Sequence, residues 1–575
     1  MRRILRLSVL CIFGLILWII YQPWFINGVI IGGDWPFYYK ETLANFSTIP
    51  TLWTYGRGGG LGGVSPIMNL DAYERFLFHI LVQKFQLDFS AVFFYGWYGL
   101  FLVLSIASSY IFSRLLHKDI LMRFLTVLVY LTNTYVLMLV GGGQMGVALA
   151  YASAPFMLTY FIHMLQCLRN RENDLKSIGM YVVKLALSIA LVVFFDPRIA
   201  FVLCIAFGVY LMISIPEFLF TGRVLKILAT LAGVFILALG INGFWLIPEN
   251  ITKDTPLSGV ASSVSISSVK FFSFADFSHT LALLHPNWPE NIFGKTYFLD
   301  SIFLLLPFLT FVVLFVVFRF LRNVKDSGEE SHLNKSQIYF IVLALIGVFF
   351  SKGANAPFGI VYEYLFTYVP GFVLFRDPTK FYILTILSYS ILIPIGIKYI
   401  SGLLEYQKYL KRLKVYLFPI IVVIFLLSWA YMVRPALTGN LGGTFSKYSV
   451  PSGFQEFQSV LLKDNTFSRT LWVPRQSRFS YYDSNHPPVE LSTLSLATTS
   501  AEFSLELENS GFQKKLIASG IGYLIVPADP LGELFVEDRK YSQVIRDGYI
   551  QVLDRTSWLT KIQNVDIEIY STQLH

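Results

Sequence analysis

Charge is the scarcest property of this sequence: 14% of its 575 residues are Asp, Glu, Lys or Arg, against 55% hydrophobic and 17% aromatic. A soluble domain carries about a quarter charged residues. So poor a supply cannot cover a water-facing surface, which excludes a wholly soluble protein and puts most of the chain in lipid. Cysteine is nearly absent as well. Cys11, Cys167 and Cys204 lie in or beside apolar runs and none falls after Arg434, so neither a disulfide framework nor a thiolate zinc site is on offer. His279, His285 and His486 stand alone, without His-x-x-x-His or Glu-x-x-His spacing. The net charge of +9 does not point to nucleic acid: from Arg434 to His575 there are 13 Lys+Arg and 15 Asp+Glu, leaving 32 against 21 in the rest of the chain. The basic excess belongs to short loops between apolar runs, where it sets topology.

A membrane span takes about 20 mostly apolar residues. Eleven runs qualify as candidates: Leu7–Ile26, Ala91–Phe112, Phe124–Val140, Gly146–Leu165, Ile178–Phe195, Ile199–Ile215, Val224–Ile247, Ser301–Phe320, Ile338–Ser351, Phe381–Ile400 and Val415–Val433. The first follows Met-Arg-Arg but ends in Tyr21-Gln22-Pro23-Trp24 rather than a small-residue cleavage site, so it reads as an uncleaved signal anchor. Alternate loops carry the clusters Arg2/Arg3/Arg6, Arg114/Lys118/Arg123, Arg169/Arg171/Lys176, Arg223/Lys226, Arg319/Arg322/Lys325/Lys335 and Lys408/Lys411/Arg412/Lys414. With a cytoplasmic N-terminus all of these fall on one side, as the positive-inside rule requires. The expected fold is thus an α-helical polytopic protein of the plasma or inner membrane with about 11 transmembrane helices and an extracytoplasmic C-terminus.

The outward side then owns the long segments 27–90, 248–300 and 352–380, attached to a membrane domain 1–433, and a tail 434–575. The tail reads as a soluble α+β domain, with strand-like runs Thr470–Val473, Gly522–Val526, Tyr549–Leu553 and Ile567–Tyr570 and a helix around Glu502–Ile517. Charges inside the runs are few, although Lys184 is an exception near the inner end of its helix. Each would cost about 2.5–3.5 kcal/mol at mid-bilayer, and coupled transporters usually carry several. An ion-coupled pump is therefore a poor fit.

Polar chemistry concentrates at the outer ends. Asp34 lies in Gly32-Gly33-Asp34-Trp35-Pro36-Phe37-Tyr38, close to the first run and among aromatics that favour the interface. A partly desolvated carboxylate there suits a general base toward a hydroxyl; it equally suits a cap for a helix over 35–46. Gly56–Gly63 contains a nominal GxGxxG with no strand before it, which points to a tight loop allowing close backbone approach rather than a nucleotide fold. Asp71, Glu74 and Arg75 share one face if helical, as a local ion pair or as second carboxylates for a site. Two charged Pro turns, Phe195-Asp196-Pro197-Arg198 and Phe375-Arg376-Asp377-Pro378-Thr379-Lys380-Phe381, stand out among nearly uncharged neighbours. Arg198, Arg376 and Lys380 can bind phosphate or anchor at lipid headgroups.

In layout and in these segments the chain resembles the GT-C class of integral-membrane glycosyltransferases, and within it the arabinofuranosyltransferase-like and YfhO-type bacterial membrane proteins. The segments that carry the resemblance are Gly33–Tyr38, Phe375–Phe381 and the tail's Ser519–Val526 and Ile567–Tyr570. The resemblance implies a polyprenyl-phosphate sugar donor, a cell-envelope glycan or glycolipid acceptor, and Asp34 as the catalytic base. Joined to the charged Pro turns, this leads to the expectation of inverting transfer, with Arg376, Lys380 and Arg198 toward the donor phosphate. The class often pairs its acidic residues as Asp-x-Asp or Glu-x-Asp. Asp34 has no such neighbour, so no metal cofactor is expected. A non-catalytic flippase or export component, or an envelope-assembly scaffold, is the competing expectation.

Overall fold

The computed structural model describes residues 2–22, 37–51, 53–54, 58–64, 70–169, 175–220, 222–252, 265–284, 301–312, 314, 335–405, 414–438, 450–477, 479–527, 543–564 and 567–572. The chain forms two compact units. Met1–Ile26, Trp97–Phe244 and Leu257–Gly442 make a helical unit; Asn27–Gly96, Trp245–Pro256 and Gly443–His575 make a mixed one. The first long loop thus condenses with the C-terminal domain.

In the helical unit apolar side chains face outward as well as inward. Val224–Ile241 buries Ile227, Leu231, Val234 and Ala238 on one stripe and exposes Leu225, Leu228, Ile236 and Leu239 on the other. A helix that is apolar all round is built for lipid. By length and composition, six helices among the described residues can cross a bilayer: Phe89–Ser113, Met145–Arg169, Leu175–Phe195, Pro197–Pro216, Val224–Ile241 and Pro378–Leu404. A bent pair, Ile120–Thr132 with Thr134–Gly141, makes a seventh, and Leu10–Tyr21, Ser301–Val312, Lys335–Ser351 and Tyr416–Met432 are shorter apolar helices. Met145–Arg169 and Pro378–Leu404 are the two most buried. Small side chains let the first of these approach its neighbour closely, so that Ser108 Oγ donates to the Ala152 carbonyl at 2.5 Å. Lys184 is exposed, its Nζ 5.8 Å from the Tyr160 ring and 5.7 Å from the Tyr181 ring.

The run Phe124–Val140, expected as one span, bends by 41° at Asn133. The side chain of Asn133 makes the break tolerable. Its Oδ1 accepts from Val136 N at 3.0 Å, and its Nδ2 donates to the carbonyls of Val129 and Tyr130 at 3.0 and 2.8 Å. Backbone groups freed by the bend are thereby satisfied without water. The run Val224–Ile247 is likewise divided, its helix ending at Ile241 and a second one running Gly243–Thr252.

The mixed unit is organised by a five-stranded sheet: β3 (Arg469–Trp472), β4 (Pro488–Glu490), β5 (Ile521–Val526), β6 (Leu559–Asn564) and β7 (Glu568–Thr572), in the order β4-β3-β5-β7-β6. The first three are mutually parallel and β7 and β6 complete the sheet antiparallel. Parallel pairing needs crossovers, which the helices Ser500–Glu508 and Ser510–Ala518 supply between β4 and β5. Asn509 divides the helix expected over Glu502–Ile517, its side chain capping the second helix through Gly511 N at 2.7 Å. Tyr549–Leu553, expected as a strand, lies in the helix Gln543–Asp554. Tyr549 and Leu553 are buried four residues apart, one helical turn, and the alternation that a half-buried strand would need is missing.

Both faces of the sheet are covered. Leu471, Leu524, Val526 and Tyr570 face a core shared with Phe503, Leu507, Phe512 and Leu516, while the alternate residues Trp472, Ile525 and Ile569 face Phe454, Phe457 and Leu461. Tyr39 of the first long loop completes this second core. It is 6% exposed, meets Tyr481 edge-on at 5.3 Å, and donates its hydroxyl to the Phe479 carbonyl at 2.8 Å. The glycine loop docks nearby, closed by the small antiparallel pair β1 (Trp53–Thr54) and β2 (Gly63–Val64). Gly60, at φ +96°, sits so near β4 that a Cβ would come within 1.8 Å of the Pro488 carbonyl oxygen. This is the close backbone approach expected of the loop. Truncating Tyr39→Ala should therefore destabilise the mixed unit by about 3–5 kcal/mol, whereas Tyr39→Phe should cost only about 1 kcal/mol. Denaturant unfolding of the whole chain, followed by limited proteolysis of the C-terminal domain, measures both.

Candidate functional site

Asp34 lies outside the described residues; those from Phe37 onward include two tyrosines held by their surroundings. Tyr38 accepts from Arg75 Nη2 at 2.7 Å and packs on Phe93 at 5.0 Å, and the Arg75 guanidinium lies 4.6 Å over the Tyr38 ring and 5.2 Å over Phe46. Tyr39 is buried in the sheet core. Asp71, Glu74 and Arg75 do fall on one helix, Leu70–His79, with Asp71 in its first turn and Glu74 and Arg75 half-buried. Arg75 thus serves an aromatic clamp on the segment that follows Asp34.

In the helical unit the two charged Pro turns come together. In each, Asp and Pro begin a helix, the aspartate accepting from the backbone two residues on and the Pro occupying a position where no N–H is needed. Asp196 takes Arg198 N at 2.9 Å and also grips the Arg198 side chain, Nη2 to Oδ2 at 2.6 Å and Nε to Oδ1 at 3.0 Å. Asp377 takes Thr379 N at 3.0 Å and Thr379 Oγ1 at 2.6 Å on one oxygen, and Lys380 Nζ at 2.7 Å on the other. Arg198 lies within electrostatic reach of Asp377, and Tyr135, just past the Asn133 break, lies within reach of Asp196, Arg198 and Asp377. Tyr135 also stacks on Tyr382 at 5.3 Å, tying the broken helix to the Lys380 turn.

The three expected phosphate ligands differ sharply in setting. The Lys380 side chain is 4% exposed and that of Arg198 38%, each carrying a carboxylate of its own turn. Arg376 is exposed, its guanidinium 5.4 Å over the Phe272 ring, with no carboxylate partner among the described residues. A cation that sequence inspection passed over, Lys352, stands beside them. It is 0% exposed, directly follows the helix Lys335–Ser351, and donates to the Asn355 carbonyl at 2.5 Å. Burial lowers its pKa. The only cue in the sequence was a lysine closing an apolar run just before a glycine. A segment spanning 265–284 borders the same region: Ser273 Oγ accepts from Ala354 N at 2.9 Å, and Asn355 Nδ2 donates to the Ser273 and Ala275 carbonyls at 2.6 and 2.8 Å.

Of the histidines, His285 lies outside the described residues, and His279 is paired with Asp276 at 2.8 Å. His486 is buried in the mixed unit between two carboxylates, Nδ1 to Asp483 Oδ1 at 3.0 Å and Nε2 to Asp464 Oδ2 at 3.6 Å. Burial opposes charge on Asp464, but bonds from Thr466, then from Tyr523, and the nearby His486 bring its pKa down to about 2. Burial likewise disfavours the imidazolium of His486, and Asp483, then Asp464, outweigh it to raise the pKa. No group of three or more metal-ligating side chains occurs among the described residues.

The fold that holds these residues is similar to that of solved glycosyltransferases, and its long apolar helices mark a multi-pass membrane protein. Two solved structures illustrate the likeness. One is the arabinofuranosyltransferase AftD from Mycobacteria, matched at a TM-score of 0.53 and 12% identity over 99% of this chain and 40% of that one. The other is the oligosaccharyltransferase of Archaeoglobus fulgidus, solved with a tethered acceptor peptide, at 0.50 and 11% over 91% of this chain and 69% of that one. The chain therefore spans about two fifths of the length of AftD. By sequence, no family model and no curated protein matches it.

Two outcomes follow from the geometry. Asp377→Asn removes the counter-charge of a buried ammonium and should cost the helical unit about 3–5 kcal/mol, while Arg376→Gln at an exposed site should stay within about 0.5 kcal/mol; thermal unfolding in detergent reads the difference. In the mixed unit the Asp464 contribution to stability is complete above the ordinary carboxylate pKa and is lost as pH falls toward 2. The His486 contribution is complete below the ordinary histidine pKa and lost as pH rises through its raised value. A pH series of unfolding midpoints on wild type and His486→Gln should therefore diverge below neutrality and converge in alkali.

Proposed function

We propose that this chain is a membrane glycosyltransferase that moves a sugar from a polyprenyl-phosphate donor to a cell-envelope glycan or lipid acceptor. The observation that carries the reading is the meeting of two charged turns, Asp196–Arg198 and Asp377–Lys380, on a fold otherwise poor in charge. Eleven spans, a cytoplasmic N-terminus and catalysis on the outer face belong to the same reading. They rest on the alternation of Lys and Arg among the loops.

In this reaction Asp34 takes the proton of the acceptor hydroxyl, and the freed oxygen attacks the anomeric carbon. The bond from that carbon to the phosphate oxygen breaks, and its electron pair leaves with the polyprenyl phosphate, so the configuration inverts. Arg376, Lys380 and Arg198 stabilise the charge arriving on the phosphate. The aspartates of the two turns hold Lys380 and Arg198 in place before any donor arrives. The clamp on Tyr38 and the burial of Tyr39 give the chain after Asp34 a fixed anchor, which a general base requires. Asp71 and Glu74 are the candidate second carboxylates. The mixed unit, with its covered sheet, is suited to hold the acceptor.

Asp34→Asn should abolish transfer while leaving the membrane level of the protein unchanged. The measurement is a comparison of envelope glycans and glycolipids among wild-type, deletion and Asp34→Asn strains. Full activity in the variant would remove Asp34 from the base role, and identical glycans in the deletion strain would favour a scaffold.

A further inference from the structure

The donor site proposed above contains more positive charge than the two Pro turns account for. Arg198 and Lys380 are each neutralised by a carboxylate of the same turn, at 2.6 and 2.7 Å. Asp276, the carboxylate on the bordering segment, caps its own turn through Oδ1, which accepts from Ser278 Oγ at 2.7 Å and His279 N at 2.8 Å and pairs with His279. Lys270 pairs with Glu363 at 3.3 Å. Arg376 and Lys352 remain as cations without a carboxylate partner among the described residues.

Lys352 is the unusual one. It is fully buried, and its ammonium meets one carbonyl, that of Asn355, and the Phe349 ring at 4.7 Å. Burying an ammonium without a counter-charge is expensive. Its neighbour Gly353 places this stretch of chain. Gly353 has φ +60°, and a Cβ there would come within 2.8 Å of Pro378 Cγ and 2.3 Å of Ser273 Oγ. Lys352 therefore stands one residue from a point where the chain packs on the turn that carries Asp377 and Lys380, and on the segment whose Phe272 supports Arg376.

We propose that Lys352 is a phosphate-binding residue of this site that recognises the phosphomonoester left when the sugar departs. The proposal rests on the lipid-phosphate donor reading. A glycosyl phosphodiester carries a single negative charge. The monoester released from it carries about −1.5 to −2 near neutrality. Arg376 matches the first charge, and Lys352 matches the charge that appears only as the carbon–oxygen bond breaks. A buried, otherwise uncompensated cation placed at that point favours the transition state over the bound donor.

The test uses the full chain in phosphatidylcholine nanodiscs and measures binding of undecaprenyl phosphate, a monoester, and phosphatidylglycerol, a diester. Lys352→Gln keeps a donor for the Asn355 carbonyl but removes the charge. Wild type should prefer undecaprenyl phosphate, Lys352→Gln should weaken that binding about tenfold or more while altering phosphatidylglycerol binding little, and Lys352→Arg should restore the preference. Unchanged undecaprenyl phosphate binding in Lys352→Gln would overturn the proposal, leaving the lysine as a turn-closing residue while the donor reading stands. Lys352-dependent binding of phosphatidylglycerol alone would overturn the monoester assignment and point to a lipid headgroup. Failure of wild type to bind either lipid would overturn both readings. Should Lys352→Gln not fold, reductive labelling of wild type with pyridoxal phosphate decides: Lys352 labelled and protected by undecaprenyl phosphate supports the proposal, and Lys352 unlabelled while other lysines react overturns it.

Discussion

The carboxylate of Asp377 is the point on which the charged part of the helical unit depends. One oxygen shapes the backbone by capping the Pro378 turn through Thr379, and the other holds the buried ammonium of Lys380. In a medium without water neither the freed backbone amide nor the amine could otherwise be accommodated. The same side chain thus fixes a fold feature and stores a cation. Asp196 repeats the device two residues before Arg198. Their meeting gives the unit a polar centre at the ends of helices that are elsewhere apolar on every face.

Local self-neutralisation has a chemical meaning beyond stability. A cation paired at 2.6–2.7 Å is oriented, but its charge is already partly spent. Such residues bind an anion by rearranging a network, whereas an unpaired one binds it outright. The contrast between Lys380 and Lys352 is therefore one of readiness rather than of residue type.

Much of the architecture was legible in the sequence because lipid enforces it. A run of apolar residues in a chain short of charge has few alternatives to a helix, and the glycine-rich segment did prove to be a site of close backbone approach, at Gly60. The two charged Pro turns were visible as exceptions to a pattern, although nothing local revealed that they meet. What escaped detection depended on long-range satisfaction. Asn133 breaks a run that looks continuous because its amide supplies partners to Val129, Tyr130 and Val136. Tyr549–Leu553 is β-branched and aromatic enough to pass for a strand, but its buried residues, Tyr549 against Phe503 and Leu553, stand one helical turn apart. Lys352 showed only as a lysine closing an apolar run, since its distinction is the absence of a counter-charge among the described residues.

Tyr39 lies more than four hundred positions before the strands it packs against, yet it sits in the same apolar core as Trp472, Ile525 and Ile569. During synthesis the first loop emerges long before those strands exist. Its tyrosine must stay exposed, with its hydroxyl solvated, until the last quarter of the chain arrives to enclose it. The mixed unit is thus a clasp between the early and late parts of one polypeptide, and it can close only after every intervening helix has been made.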